Sequence, residues 1–112
     1  MAEQKLELLA GTLDLIVLKL LRAGPANGWD LTQSIQAISR GTLDVNYGSL
    51  YPALQRMQVK GWVASEWKTT PTGREARYYK ITAVGRRQLG EEESEFQRSV
   101  AAISRVLRRA DA

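Results

Sequence analysis

The chain has 112 residues, 44% of them hydrophobic and 25% charged, and a net charge of +4. That is enough for one domain with an apolar core plus one appended element, and too little for two independent cores. Absence of Cys and His excludes disulfides, thiolate nucleophiles, imidazole bases and the usual zinc ligand sets, and no cofactor or metal is expected. No apolar run approaches the roughly 20 residues of a membrane span. The opening MAEQKLELLAG carries carboxylates where a secretory signal would be positive, so the expected compartment is the cytoplasm.

Thr12 is a candidate cap for a first helix, in which Leu13, Ile16, Val17, Leu20 and Leu21 recur at the spacing of one buried face. Gly24 and Pro25 end it. Asn27 stands three residues before Asp30, an N-cap followed by an acidic first turn, and Leu31, Ile35 and Ile38 form the apolar stripe of a second helix. Thr42 to Val45 reads as an extended link or a small strand.

The stretch NYGSLYPALQRMQVKGW, Asn46 to Trp62, is the most informative. Leu50, Leu54 and Met57 lie at i, i+4 and i+7, so one face is core and the other is free. Pro52 is tolerated only in a first turn, which places the helix start close before it, with Ser49 and Asn46 as competing caps. Gly61 suits the left-handed position after the helix, and Trp62 can pack back on the last turn. Val63 to Trp67 and Arg77 to Thr82 are rich in β-branched and aromatic residues and are separated by KTTPTGREA, which predicts a hairpin with a long mobile tip. Residues 61 to 82 hold four cations against two carboxylates, the densest positive excess in the chain. Thr82 can cap a last helix. In it Leu89, Phe96, Val100, Ile103 and Leu107 fall at heptad a and d positions, with Glu93 in the one non-apolar slot.

A helix with a free polar face followed by a basic hairpin is how a winged helix presents itself to duplex DNA. Gln55 and Arg56 have the donors for bidentate contacts to bases, Asn46 and Ser49 can reach phosphates or base edges, and Tyr47 and Tyr51 add amphipathic surface. Lys68, Arg74 and Arg77 flank the tip and suit the backbone or a minor groove. Trp29, Trp62 and Trp67 could line a ligand pocket, but aromatic residues at element ends more often fill core.

The order LLAGTLDLIVLKLLRAGPANGWDL, VNYGSLYPALQRMQVKGWV and REARYYKITAVGRRQL resembles the PadR family of bacterial transcriptional regulators, from about Leu8 to Leu89. GSLYPALQRM and ARYYKIT are its specific parts, whereas Asn27 and Trp29 stand where many members have His and Tyr. The resemblance implies a winged helix-turn-helix dimer that represses transcription, pairs through its C-terminal helix and, in some members, releases DNA when an effector binds. The single terminal helix is similar to that of the smaller subgroup.

The expected fold is mainly α, an α+β winged helix. Residues 1–82 form the DNA-binding domain, with a three-helix core and a two-stranded wing, and residues 83–112 form a long dimerisation helix. The heptad stripe could instead cover the first helix within one subunit, but its length favours a partner. The expected partners are double-stranded DNA, a second copy and a small-molecule effector. No P-loop or dinucleotide fingerprint occurs, so an enzyme is not expected. The competing function is a protein-association scaffold on the same fold.

Overall fold

The computed structural model describes residues 11–110; the acidic opening segment and the first residues of the family-like stretch lie outside them. In chain order the elements are α1 (Thr12–Arg22), β1 (Ala26–Asn27), α2 (Gly28–Ile38), α3 (Tyr47–Val59), β2 (Val63–Thr69), β3 (Glu75–Ile81) and α4 (Ala83–Ala110). The hairpin is joined by a third strand: β1 pairs antiparallel with β3, Ala26 opposite Tyr79, giving the order β1-β3-β2. A two-residue strand has no periodicity to read, so the expected two-stranded wing lacked it.

One core joins every helix to the sheet. Val17, Leu18 and Leu21 of α1 meet Leu31 and Ile35 of α2, Leu50, Ala53, Leu54 and Met57 of α3, Val63, Tyr79 and Ile81 of the hairpin, and Leu89 of α4. Two expected stripes shift. The buried face of α1 is Asp14, Val17, Leu18 and Leu21, with Leu13, Ile16 and Leu20 only partly covered. Ile38, the last residue of α2, is 71% exposed and lies beyond the core that buries Ile35.

The caps explain the boundaries. Gly11, at φ 84°, precedes α1 and no side chain caps it, so Thr12 is the first helical residue and not the cap. Asn27 and Asp30 form a capping box on α2: the Asn27 side chain accepts from the Asp30 N–H at 2.8 Å, and the Asp30 carboxylate accepts from the Asn27 N–H at 3.4 Å. On α3 the cap is Asn46, whose oxygen accepts from the Ser49 N–H at 2.9 Å. Pro52 therefore sits in the second turn. The C-terminus of α3 is a Schellman motif, with Gly61 at φ 78° donating to the Gln58 carbonyl and Trp62 donating to Met57.

Thr82 knots this end to the next helix. Its oxygen accepts from the Gly85 N–H at 3.0 Å, and its hydroxyl lies 2.6 Å from the Gly61 carbonyl and 3.0 Å from that of Trp62. Gly85 is required here by space, since a Cβ would overlap the Trp62 carbonyl oxygen. Both strands run two residues further toward the tip than expected, to Thr69 and from Glu75, so Lys68 lies in β2 and the connection shrinks to residues 70–74. That connection is hydrogen-bonded: Gly73 donates to the Thr70 carbonyl, and the Thr70 hydroxyl accepts from the Arg74 N–H.

At about 1.5 Å per residue, the 28 residues of α4 extend about 42 Å. Its first turns belong to the domain. Leu89 is 3% exposed within the shared core, and Glu93, the polar slot of the heptad, pairs with Lys19 of α1 at 3.0 Å. Leu89 is thus buried in the core of its own chain, which removes it from the expected dimerisation stripe. Phe96, Val100, Ile103 and Leu107 remain exposed on the distal half.

Candidate nucleic-acid interface

Three rows of side chains leave α3 around its buried face. Gly48, Pro52, Gln55 and Val59 follow at i, i+4, i+7 and i+11, opposite the buried Leu50, Leu54 and Met57, so they form the outward row. Val59 is 84% exposed, the highest value among the large apolar side chains described. With Pro52, Gln55, Arg56 and Lys60 it lines a shallow depression on the helix surface. Such a surface offers a Gln for an adenine edge and apolar groups for a thymine methyl.

One flank, carrying Tyr47, Tyr51 and Gln58, turns toward the wing. The two tyrosine rings lie 5.4 Å apart between centroids, tilted by 31°. Tyr51 reaches the start of α2, where Gly28 leaves room for it: a Cβ there would stand 2.5 Å from the phenol oxygen. Burial pushes the Tyr51 phenol above its ordinary pKa, with Tyr47 and Tyr79 adding to the rise, so at neutral pH it is a hydroxyl donor.

The other flank holds Ser49, Arg56 and Lys60. Arg56 donates from Nη2 to Asp14 of α1 at 3.0 Å while its side chain stays 55% exposed. Asp14 is the buried partner. Burial raises its pKa, against the opposing pull of Arg56 and Lys60. The guanidinium is therefore tethered at one nitrogen on the rim of the recognition face.

Alternation along the strands sorts the wing cations. Val63, Ser65 and Trp67 of β2 share a face with Arg77, Tyr79 and Ile81 of β3, the face turned to the core and α3. Lys68 lies on the opposite face, paired with Glu66 at 3.2 Å and 5.8 Å above the Tyr78 ring. The structure does not bring Lys68 to the other candidates. Arg77 lies on the inner face, 5.9 Å from the Trp67 ring centroid, and its Nε donates to the Ser65 hydroxyl at 2.8 Å; that hydroxyl donates to Gln58 of α3 at 3.0 Å. Wing and recognition helix are joined by this chain of side chains. Arg74 sits in the tip.

These parts enclose a trough of about 1100 Å³, bounded by the start of α2, the start of α3, β3 and the wing tip. Tyr47, Tyr51, Arg74 and Arg77 line it; Asn46, held by its cap, and Lys68 do not. For two further residues the core-filling reading favoured by the sequence does not hold. Trp29 and Trp67 line the trough at 61% and 64% exposure, instead of filling core. Their signal was the period: Trp67 alternates with the inner face beyond its buried end, and Trp29 lies off the stripe of α2. Gln58 and Ser65 went unnoticed, because their link spans two elements. Among the described residues no cluster of acidic side chains could hold a metal ion.

The sequence model of the transcriptional regulator PadR-like family matches residues 17–91. A PadR family transcriptional regulator from Eggerthella lenta is 31% identical, with a TM-score of 0.75 over 87% of this chain and 82% of its own. A putative transcriptional regulator from Thermoplasma acidophilum is 28% identical, with a TM-score of 0.74 over 87% and 91%. A transcriptional regulator from Clostridium thermocellum has a TM-score of 0.78 over 85% and 89% at 24% identity, a likeness of fold. The family match covers the α3 face, the wing and the root of α4, and the chain belongs to the PadR-like family of DNA-binding transcriptional regulators.

Proposed function

We propose that the chain is a cytoplasmic repressor, binding a pseudo-palindromic operator as a homodimer joined through α4. The observation that carries the dimer is the stripe Phe96, Val100, Ile103 and Leu107, exposed along the half of α4 that runs beyond the shared core. An apolar stripe of that length is stabilised by burial against a second copy, at about 25 cal/mol per Å² of apolar surface covered. Two recognition helices about one DNA turn apart then read two half-sites, and their weak affinities multiply.

Within each subunit Gln55, Arg56 and Ser49 face the groove, and Tyr47, Tyr51, Arg74 and Arg77 hold the backbone beside it. Repression and release by a small-molecule effector are both supported by the family resemblance. The test is sedimentation of Val100→Glu and Ile103→Glu together with operator titration. Both variants are expected to be folded monomers with operator binding weakened by about 100-fold or more. A dimer for either would refute the interface.

A scaffold would differ in its salt response. With several phosphate contacts per dimer, affinity falls by orders of magnitude between about 50 and 200 mM salt. Weak, sequence-blind association at low salt only would favour the scaffold.

A further inference from the structure

We propose that the trough between α2 and the wing holds the sugar–phosphate backbone of one DNA strand, with the indoles of Trp29 and Trp67 lying against deoxyribose. The proposal rests on the reading of the chain as a duplex binder and adds a contact of a different physical kind to it. Both indoles are more than half exposed and line one trough. Paired exposed aromatics of this size mark a binding surface, since each leaves a large apolar area in water.

The occupant follows from charge, size and position. Arg74 and Arg77 face Asp30 and Glu75 in the same trough, which makes it formally balanced. The two carboxylates are already engaged: Asp30 accepts from the Asn27 N–H, and Glu75 accepts from the Thr69 hydroxyl at 2.8 Å. Among the described residues Arg74 and Arg77 have no carboxylate within ion-pair distance; Arg77 spends its Nε on the Ser65 hydroxyl, which leaves its terminal nitrogens and the Arg74 guanidinium to meet phosphate. A balanced trough does not draw in a polyanion by net charge. Flat apolar surfaces beside directed donors suit a strand in which apolar sugars alternate with phosphates.

The trough, of about 1100 Å³, has room for a stretch of sugar–phosphate backbone. The trough is also continuous with the recognition face through Tyr47 and Tyr51, so a duplex seated on α3 carries one backbone into it.

Indole–sugar contact releases no counterions, which gives the test. Trp29→Ala, Trp67→Ala and Arg74→Ala are titrated against an operator duplex and a random duplex at several salt concentrations. Each Trp variant is expected to lose about 5–10-fold on both duplexes, with an unchanged slope of log affinity on log salt. Arg74→Ala is expected to lose affinity with the slope shallower by about 0.9. In a second measurement, duplex DNA shields the indoles of the wild-type chain from acrylamide. Trp62→Phe keeps that shielding and the Trp29→Phe, Trp67→Phe double variant loses it.

A wild-type chain that binds DNA while the Trp variants match it, or while its indoles stay unshielded, overturns the trough and leaves the duplex reading intact. Shielding by an aromatic dye but not by duplex also overturns it. Failure of the wild-type chain to bind any duplex refutes the underlying reading instead.

Discussion

Gly28→Ala should weaken DNA binding while leaving the fold in place. The new methyl group would stand 2.5 Å from the Tyr51 phenol oxygen and 2.9 Å from Cζ. Ordinary contact begins near 3.5 Å, so the far end of the ring must swing by about 1 Å. The obstacle is the tip of a half-exposed side chain and not backbone, so the ring gives way. Alanine favours the helix by up to about 1 kcal/mol over glycine, and the lost Tyr51 packing costs a similar amount. Net stability should stay within about 1 kcal/mol, a melting shift within about 4–6 °C.

The effect on binding is larger. Tyr47 leans on Tyr51 and moves with it, displacing two hydroxyls at the mouth of the trough. Two lost hydrogen bonds of about 1 kcal/mol each lower affinity by about 30-fold. Thermal melting and a duplex titration on the same preparation check both halves. A melting loss beyond about 10 °C would show that the ring cannot move. Unchanged affinity would show that the tyrosine pair stands away from DNA.

Gly85→Ala is the opposite case: its Cβ meets the Trp62 carbonyl and comes within 2.8 Å of Ile81 Cγ1, neither of which can step aside. A loss of about 3 kcal/mol, read by calorimetry, is expected, and an unchanged melting temperature would contradict the packing of α4 on the α3 terminus. For Asp14 the folded carboxyl has a raised pKa, mainly by burial. The folded state then holds that proton more tightly than the unfolded chain does. The stability this adds is complete below about pH 4 and is lost as pH rises through the folded value. Asp14→Asn removes the dependence, so the stability of the variant relative to wild type should be more favourable at pH 7 than near pH 3.5 in denaturant melts; the opposite order would refute the burial assignment. Arg77→Ala should weaken binding to any duplex with the salt slope reduced by about 0.9, whereas Lys68→Ala, on the outer face, should change little. Equal slopes for the two would remove the distinction between the wing faces.

What the sequence disclosed was local. The α3 stripe, the glycine stop at Gly61, the Asn27 cap and the Thr82 cap each depend on residues a few positions apart, whose chemistry is fixed by one turn of chain. What it hid depends on residues far apart. Asp14 interrupts the buried face of α1, and only its encounter with Arg56, 42 positions on, shows why a carboxylate is tolerated there. Leu89 and Phe96 share one heptad stripe, and periodicity cannot say that the first enters the core of its own chain while the second stays uncovered. Trp29 and Trp67 were expected to fill core by residue type, yet they lie beyond the reach of the hydrophobic layer.

The same long-range links determine how a dimer would read spacing. The root of α4 is fixed to the reading head at three points: the Thr82 knot on the end of α3, Leu89 in the core, and Glu93 on Lys19 of α1. Arg56 ties α3 to α1 from the other side, and Gln58 and Ser65 tie it to the wing. Between the recognition helix and the start of the exposed stripe there is thus no unbraced joint. In a dimer paired along Phe96 to Leu107, the distance between the two recognition helices is set by the angle at which the two α4 helices cross. A change of crossing angle at the far end of α4 would be carried along the helix, about 42 Å long and braced at its root, to the spacing of the half-sites.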